Sequence, residues 1–334
     1  MKQLLKVATM RGEVTSLKQM PVIIDCDPGI DDAMMLMLAF SRPELNVLLV
    51  TTEAGNLTID KTTYNALSFL THIQKRVEVA KGLPQPMFRQ QEVADDIHGD
   101  EGLGNVKWSE PDFEASERGA IEAMRETLLN APEPITIVAT GPLTNIAALL
   151  FAHPEVKPHI AQISWMGGAA VGGNMSTTAE FNAYVDPHAA ELVFRSGVPI
   201  TMSGLDVTNK AYITRDEMAR LRTLGTPFAE KVADMMTFYT FTQKQTPFHA
   251  PGFEQQIRVH DFSAVASLIA PHMYEGQDCY VEVELEGRLT QGATIVDYNN
   301  RTNHPPNAHV LHSVDRAAFI ELFFEAVTTI GKTL

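Results

Sequence analysis

Cysteine, basic residues and long apolar runs are all scarce in this chain of 334 residues. Two cysteines, Cys26 and Cys279, cannot build a disulfide framework and favour a reducing compartment, so we expect a cytoplasmic protein. No apolar run approaches the roughly 18 to 20 residues of a membrane span. The formal net charge of -15 argues against nucleic acid and anionic membranes as partners. A neutral small molecule and a bound cation remain compatible with this charge.

The order of apolar segments predicts the fold. Short β-branched runs alternate with longer segments of helical spacing, which indicates right-handed βαβ units and an α/β fold with a doubly wound, mostly parallel sheet. The predicted strands are VIIDC (22–26), NVLLVTT (46–52), VEVA (77–80), ITIVA (135–139), IAQISWM (160–166) and VPITMSG (198–204).

The two ends of the chain differ from this pattern. Residues 1–20 lack the apolar segment and cleavage site of a secretion signal, so we interpret them as an N-terminal extension. After Gly204 the spacing is mainly helical, and then YVEVELEG (280–287) and TIVDY (294–298) predict a β-hairpin before a helix from Asp315. No linker divides residues 21–334, which we expect to form a single domain.

The most unusual stretch is IIDCDPGIDDA (23–33), which places Asp25, Asp27, Asp31 and Asp32 directly after the first predicted strand. Like charges this close repel unless something offsets them. Oxygen ligands without a zinc-type Cys/His set point to a hard cation, Ca²⁺ or Mg²⁺. The alternative is an acidic helix start that only complements the helix dipole. Because four acids exceed what a helix cap needs, we favour a metal site.

Other polar loops follow the remaining strands. Ligands of open parallel sheets bind beyond the carboxyl ends of the strands, so these loops are expected to converge. The segment VHD brings His260 and Asp261, although Asp261 could equally be a helix N-cap and a lone histidine is more often structural. The Gly-rich loop IHGDEGLGN (97–105) lacks a nucleotide-binding spacing and is interpreted as a mobile lid carrying His98, or else a plain surface loop.

Seven motifs in order resemble the nucleoside hydrolase family, the inosine-uridine-preferring nucleoside N-ribohydrolases. The motifs are DCDPGIDDA (25–33), TTEAGN (51–56), IHGDEGLG (97–104), ATGPLTNIA (139–147), MGG (166–168), GNMSTTAEFN (173–182) and VHD (259–261). Within the family, APEPITIVATGPLTNIA and FRSGVPITMSGLDVTN are most similar to bacterial non-specific ribonucleoside hydrolases. The resemblance implies the Rossmann-like nucleoside hydrolase fold, hydrolysis of ribonucleosides to base and ribose, and a homodimer or homotetramer.

The resemblance also implies the roles of individual residues. A Ca²⁺ ion would be bound by Asp27, Asp32, the main-chain carbonyl of Thr140, and Asp261, with Asp25 orienting this shell. Asp27 would be the general base on a water bound to the ion, and His260 the proton donor to a leaving purine. The implied substrate contacts are Asp31, Asn56 and Asn182 to the 2′- and 3′-hydroxyls, Asn174 and Glu180 to the 5′-hydroxyl, Met166 near the sugar, and His98 on the base side.

Three positions bear on base specificity. Tyr239 matches an aromatic residue of relatives, Gln243 replaces a second tyrosine of some relatives, and Phe262 follows VHD where several have Pro or a small residue. These departures leave the preferred base open. Two other functions also remain open: a haloacid-dehalogenase-like phosphatase, in which Asp25 would be the nucleophile, and a Ca²⁺-dependent nucleoside-binding protein without turnover.

Overall fold

Nine strands form one twisted central sheet in the structure, a computed structural model that describes residues 18–104, 106–242 and 256–334. Its strands are β1 (Met20–Cys26), β2 (Leu45–Thr52), β3 (Val79–Lys81), β4 (Ile135–Ala139), β5 (Ile160–Met166), β6 (Ile200–Ser203), β9 (Tyr274–Val283), β10 (Thr294–Asp297) and β11 (Ala308–Val314). Their order is β10-β9-β11-β6-β5-β4-β1-β2-β3. Two short strands, β7 (Tyr212–Thr214) and β8 (Gln256–Arg258), form a separate antiparallel pair.

Seven neighbouring strands of this sheet run parallel, in the spatial order β3-β2-β1-β4-β5-β6-β11. Strands β9 and β10 complete the sheet by antiparallel pairing. The order β3-β2-β1-β4-β5-β6 is that of a doubly wound fold, in which the strand order reverses between β1 and β4. The predicted fold class is therefore confirmed. Ligands of doubly wound sheets bind at such a reversal point, and the aspartate-rich segment begins there, at the carboxyl end of β1.

Helices cover both faces of the sheet. They are α1 (Ile30–Ser41), α2 (Ile59–His72), α3 (Asp95–His98), α4 (Ala120–Asn130), α5 (Thr144–Ala152), α6 (Phe181–Val185), α7 (Pro187–Phe194), α8 (Leu205–Thr208), α9 (Arg215–Arg222), α10 (Pro227–Thr242), α11 (Phe262–Ile269) and α12 (Arg316–Gly331). One core joins α1 to α11 and α12, and the other lies under α5 and α7. Because both faces are covered, the central strands carry the continuous apolar runs expected of a buried parallel sheet.

The C-terminal hairpin is part of the central sheet, which the sequence did not predict. Strand β9 begins at Tyr274 rather than at residue 280, and β11 was missed altogether. Polar side chains of β9 and histidines of β11 alternate with buried ones, so neither segment reads as a buried apolar strand. Strand β11 joins the hairpin to β6 and so extends the sheet by three strands.

The N-terminal boundary also needs a small correction. Met20, assigned to the extension, is the first residue of β1, and its main-chain N–H donates to the Glu44 carbonyl at 2.8 Å. Residues 1–17 lie outside the described residues. Among the helices that the structure describes, we find none with the length and apolar character that a membrane crossing requires.

Candidate active site

The aspartate segment turns sharply from β1 into α1, so that Asp31 and Asp32 lie in the first turn of the helix and Asp27 lies just before it. The Gly29 main-chain N–H donates to Asp32 Oδ2 at 2.9 Å and closes this turn. The Thr140 hydroxyl, just after β4, donates to Asp32 Oδ1 at 2.8 Å. Asn56, after β2, donates through Nδ2 to Asp32 Oδ2 at 3.1 Å. Asp32 therefore joins the ends of three neighbouring strands, as the convergence of the loops predicts.

Asp27 is fully buried and is held on one side only. Its Oδ2 accepts the main-chain N–H of Asn56 at 2.6 Å, and its main-chain carbonyl accepts Asn56 Nδ2 at 3.2 Å. Among the described residues, Asp27 Oδ1 has no hydrogen-bond partner. Burial and the neighbouring Asp32 and Asp31 carboxylates raise the pKa of Asp27 well above its ordinary value. A buried, unpaired oxygen in such surroundings is suited to a cation or a proton.

Asp261 brings a further carboxylate to the same place from the start of α11. Ligand oxygens of Asp31, Asp32 and Asp261 all lie within 4.8 Å of one another, close enough to hold one metal ion. Burial raises the pKa of all three groups, and repulsion from neighbouring carboxylates adds to this for Asp261 and for Asp31, whose pKa is raised to about 8. Asp31 Oδ1 also has no hydrogen-bond partner within the described part of the chain. Carboxylate oxygens without sulfur or imidazole suit a hard divalent cation.

The carboxylates of this group differ in one member from those of the predicted ligand set, which consists of Asp27, Asp32, Asp261 and the Thr140 carbonyl. Asp31 takes the place of Asp27 in the group with the short mutual distances. The main-chain carbonyl of Thr140 accepts Asn182 Nδ2 at 3.0 Å, and the hydroxyl of the same residue donates to Asp32, so Thr140 lies beside the cluster. The donor set as a whole fits a metal ion that binds oxygen.

A second layer of polar groups lies behind the cluster, and most of its residues were not among the predicted site residues. Asp25 Oδ1 accepts the Thr51 hydroxyl and, at 2.9 Å, Asn145 Nδ2. Burial raises the pKa of Asp25 to about 6 despite these bonds. Glu53 is also fully buried, and its Oε1 and Asp27 Oδ1 both lie within 3 Å of where a Cβ on Gly141 would be. The sequence signal for Glu53 and Asn145 was their position in the motifs TTEAGN and ATGPLTN, which follow β2 and β4.

Several of the predicted sugar-binding residues lie at the end of β5 and in the segment that follows it. Asn182 Nδ2 donates to the Met166 carbonyl at 3.0 Å, which ties Asn182 and Met166 to the aspartate cluster through Thr140. The Glu180 carboxylate accepts the main-chain N–H groups of Gly168, Asn182 and Ala183 at 2.8 to 3.1 Å. Burial raises the pKa of Glu180 to about 7 even so.

Asn174 is the predicted site residue that the structure leaves apart from the cluster. Its side chain is exposed on the loop, and its Oδ1 accepts the main-chain N–H of Phe181 at 2.9 Å. Because Phe181 directly follows Glu180 in the chain, this bond keeps Asn174 close to Glu180, at the outer rim of the site.

Two histidines and a tyrosine lie on the other side of the cluster. His98 is buried, its Nδ1 accepts the main-chain N–H of Ile30 at 3.0 Å, and its ring packs 5.4 Å from that of Tyr239. His260 Nδ1 lies 2.8 Å from the hydroxyl of Thr208. Burial lowers the pKa of His98 to about 4 and that of His260 to about 3. The approach of His98 Nδ1 to Asp31 at 4.0 Å is therefore not an ion pair at neutral pH.

Of the positions that the sequence linked to base specificity, Phe262 does not line the site. It is fully buried, with its ring 5.0 Å from that of Phe319 and 5.5 Å from that of Phe323, and so belongs to the core beneath α1. Tyr239 does lie at the site, beside His98. Gln243 lies outside the described residues.

Comparisons with known proteins point to one family. The profile of the inosine-uridine preferring nucleoside hydrolase family matches residues 22–321. A pyrimidine-specific ribonucleoside hydrolase RihA from Shewanella sp. (strain MR-4) is 42% identical over 94% of this chain and 98% of its own length. The protein of the same name from Salmonella schwarzengrund (strain CVM19633) is 44% identical over 92% of this chain and 97% of its own length.

A solved structure shares the fold over its whole length. The purine-preferring ribonucleoside hydrolase from Gardnerella vaginalis superposes with a TM-score of 0.87 at 32% identity, covering 94% of this chain and 100% of that one. The chain therefore belongs to the inosine-uridine preferring nucleoside hydrolase family. It is an enzyme that hydrolyses ribonucleosides to free base and ribose, and its buried aspartate cluster can hold a metal ion. These findings support ribonucleoside hydrolysis over the phosphatase alternative and over the binding protein without turnover.

Proposed function

We propose that the aspartate cluster binds Ca²⁺ through Asp27, Asp32, Asp261 and the main-chain carbonyl of Thr140, and that Asp27 is the general base of the hydrolysis. The observation that carries this proposal is the unpaired Asp27 Oδ1 beside a group of carboxylates within 4.8 Å of one another. Flexible coordination by six to eight oxygens suits Ca²⁺ better than the strict octahedron of Mg²⁺.

The chemistry follows from the orientation of Asp27. A bound Ca²⁺ would lower the pKa of a water molecule and hold it at the cluster. The Asn56 N–H fixes one Asp27 oxygen at 2.6 Å, which leaves Oδ1 to accept the proton from the attacking water. Water adds to the anomeric carbon of ribose as the bond to the base breaks, through an oxocarbenium-like transition state. Asp25, held by Thr51 and Asn145, supports the cluster from behind.

The ribose contacts are assigned to the residues that surround the cluster. Asp31, Asn56 and Asn182 would bind the 2′- and 3′-hydroxyls, and Met166 would pack near the sugar. Support comes from Asn56 and Asn182, whose side-chain amides donate to groups of the cluster at 3.0 to 3.2 Å. The 5′-hydroxyl would be bound by Glu180 and Asn174, of which Asn174 lies at the rim of the site.

The base would lie between the two histidines, with His98 packed on Tyr239 and His260 next to the leaving group. We propose that pyrimidine ribonucleosides are the preferred substrates. The relatives at 42 to 44% identity, matched over 97 to 98% of their length, are named as pyrimidine-specific. The structural neighbour named as purine-preferring is less similar, at 32% identity.

We also propose that the enzyme works in the cytoplasm as a homodimer or homotetramer. Cys26 and Cys279 are buried free thiols, which suits a reducing compartment. Large apolar side chains remain exposed on this single chain, among them Phe88, Phe151 and Val171. Light scattering after size-exclusion chromatography tests the assembly, and a monomer at micromolar concentration would contradict it.

Calorimetric titration of Ca²⁺ into metal-stripped protein tests the metal site. Wild-type protein should bind about one ion per chain, whereas Asp32→Asn should weaken binding at least about tenfold, because it removes a ligand charge. Asp112→Asn is the matched control, since this aspartate is exposed and pairs with Arg76 at the surface. Unchanged affinity in Asp32→Asn would contradict the assignment.

A further inference from the structure

The motif GLDVTN (204–209) follows β6 and has no role in the site described so far. Its residues connect two loops of the active site. The Leu205 main-chain N–H donates to the Gly168 carbonyl at 2.9 Å, and Asp206 Oδ2 accepts the Ala170 N–H at 2.7 Å. Both contacts hold the start of the loop that carries Glu180. On its other side, the motif contacts VHD through Thr208 and His260.

The contact between Thr208 and His260 specifies which ring nitrogen of His260 carries the proton. Thr208 is fully buried, and its hydroxyl lies 2.8 Å from His260 Nδ1, its hydrogen-bond partner among the described residues. If Nδ1–H donated to Thr208, the buried hydroxyl would accept and leave its own proton without a partner. Such an unpaired buried donor is unfavourable. The hydroxyl therefore donates to Nδ1, which places the proton of the neutral ring on Nε2.

The same contact determines which edge of the ring is available to a ligand. The Nδ1 edge is covered by Thr208, whereas the His260 residue as a whole is partly exposed. The next residue along the chain, Asp261, belongs to the carboxylate group, which keeps His260 at the cluster. The ring edge opposite Thr208 is thus the one that a bound molecule can reach.

We propose that Thr208 is a positioning residue that fixes neutral His260 as the Nε2–H tautomer, so that Nε2–H donates a hydrogen bond to the leaving base. This inference rests on the proposed function in placing the base next to His260. The C–N bond breaks with its electron pair going to the base, and the hydrogen bond stabilises the charge that develops there. Water supplies hydroxide to ribose and a proton to Asp27. The base takes its proton from solvent, and Asp27 returns one to solvent.

Nitrogen-15 NMR at pH 8 tests the tautomer without any turnover. The ring is neutral there, because pH 8 is above the ordinary pKa of imidazole. Wild-type His260 should show a protonated Nε2 and an unprotonated Nδ1, with His260→Gln assigning the signals. Thr208→Val, which keeps the shape but removes the hydroxyl, should give a mixture of tautomers, and Thr208→Ser should restore the wild-type signals. A wild-type ring protonated at Nδ1 would overturn the proposal.

Kinetics with two leaving groups test the consequence for the reaction. Uracil is a poor leaving group, whereas 4-nitrophenolate leaves readily without a hydrogen bond. Thr208→Val should lower kcat for uridine about 10- to 100-fold with KM changed less than about threefold, because the lost interaction acts in the transition state. Hydrolysis of 4-nitrophenyl β-D-ribofuranoside should fall less than about threefold, and Thr208→Ser should regain most of the uridine rate.

An equal loss for both substrates in Thr208→Val, or no loss for uridine, would overturn the proposal. The control is Thr136→Val, the same replacement at a buried position of β4 that lies away from the carboxyl end of the strand, where the site is. This variant should keep the wild-type rates for both substrates. A failure of the proposed reaction would show separately, as no ribose release from uridine by the wild-type protein.

Discussion

The main-chain N–H of Asn56 donates to Asp27 Oδ2 at 2.6 Å and leaves the other carboxylate oxygen unpaired among the described residues. We expect Asp27→Asn to lower kcat at least about 1000-fold, within the contribution typical of a general base. The fold should be kept, since asparagine has the same shape and can still accept the Asn56 N–H. Steady-state kinetics and thermal unfolding check this, with Asp234→Asn, an exposed surface change, as control. Kcat within tenfold of wild type would remove Asp27 from the base role.

Gly55 lies so close to Asp27 that any side chain must displace the carboxylate. A Cβ on Gly55 would lie 1.9 Å from Asp27 Oδ2 and 2.8 Å from Pro142 Cδ. We expect Gly55→Ala to lower kcat/KM about 100-fold, because a shift of about 1 Å in a catalytic group has an effect of this size. Gly119→Ala is the matched control, since the nearest atom there is 3.9 Å away. Equal kinetics for the two variants would show that Asp27 is not held as described.

The ribose hydroxyls should be required for turnover. If Asp31, Asn56 and Asn182 pair with the 2′- and 3′-hydroxyls, a 2′-deoxynucleoside leaves buried polar groups unpaired. We expect kcat/KM for 2′-deoxyuridine to be at least about 1000-fold below that for uridine. Asp31→Ala should lower kcat/KM for uridine far more than kcat/KM for 2′-deoxyuridine. The ratio of the two kcat/KM values should therefore move toward one. A wild-type ratio near one would contradict the assigned contacts.

The stability of the metal-free protein should fall as the pH rises from 6.5 to 8.5. Burial and repulsion raise the pKa of Asp31 from 3.8 to about 8, so the folded protein keeps a proton that the unfolded chain has lost. A raised carboxyl pKa means that stability is lost with increasing pH until the folded pKa is passed. Below pH 6.5 the buried histidines have the opposite effect on stability. Burial lowers the pKa of His98 from 6.5 to about 4, so its contribution to stability increases as the pH rises through this range.

Thermal unfolding of metal-stripped protein at pH 6.5, 7.5 and 8.5 measures this effect. Added Ca²⁺ should remove the decrease, because the ionised carboxylates then bind the cation. An unfolding temperature of the metal-free protein that stays constant or rises over this range would contradict the buried, mutually repelling cluster.

The sequence predicted the parts of this molecule that depend on local pattern. The six strands from β1 to β6 have buried apolar runs, and the carboxyl ends of parallel strands necessarily meet, so the clustering of Asp27, Asp32 and Thr140 could be foreseen. Strand β11 could not, because its histidines alternate with buried residues and its place depends on pairing with β6 and β9. The contact between Thr208 and His260 could not be predicted from the sequence either, because the two residues are 52 positions apart.

The most direct test of metal-dependent hydrolysis at the aspartate cluster is ribose release from uridine, cytidine, inosine, adenosine, xanthosine and 2′-deoxyinosine, each with and without a Ca²⁺ chelator. We expect release from ribonucleosides, fastest from uridine and cytidine, that stops with the chelator and returns with added Ca²⁺. Release that is indifferent to the chelator in protein shown to be metal-free would contradict the role of the aspartate cluster as a metal site.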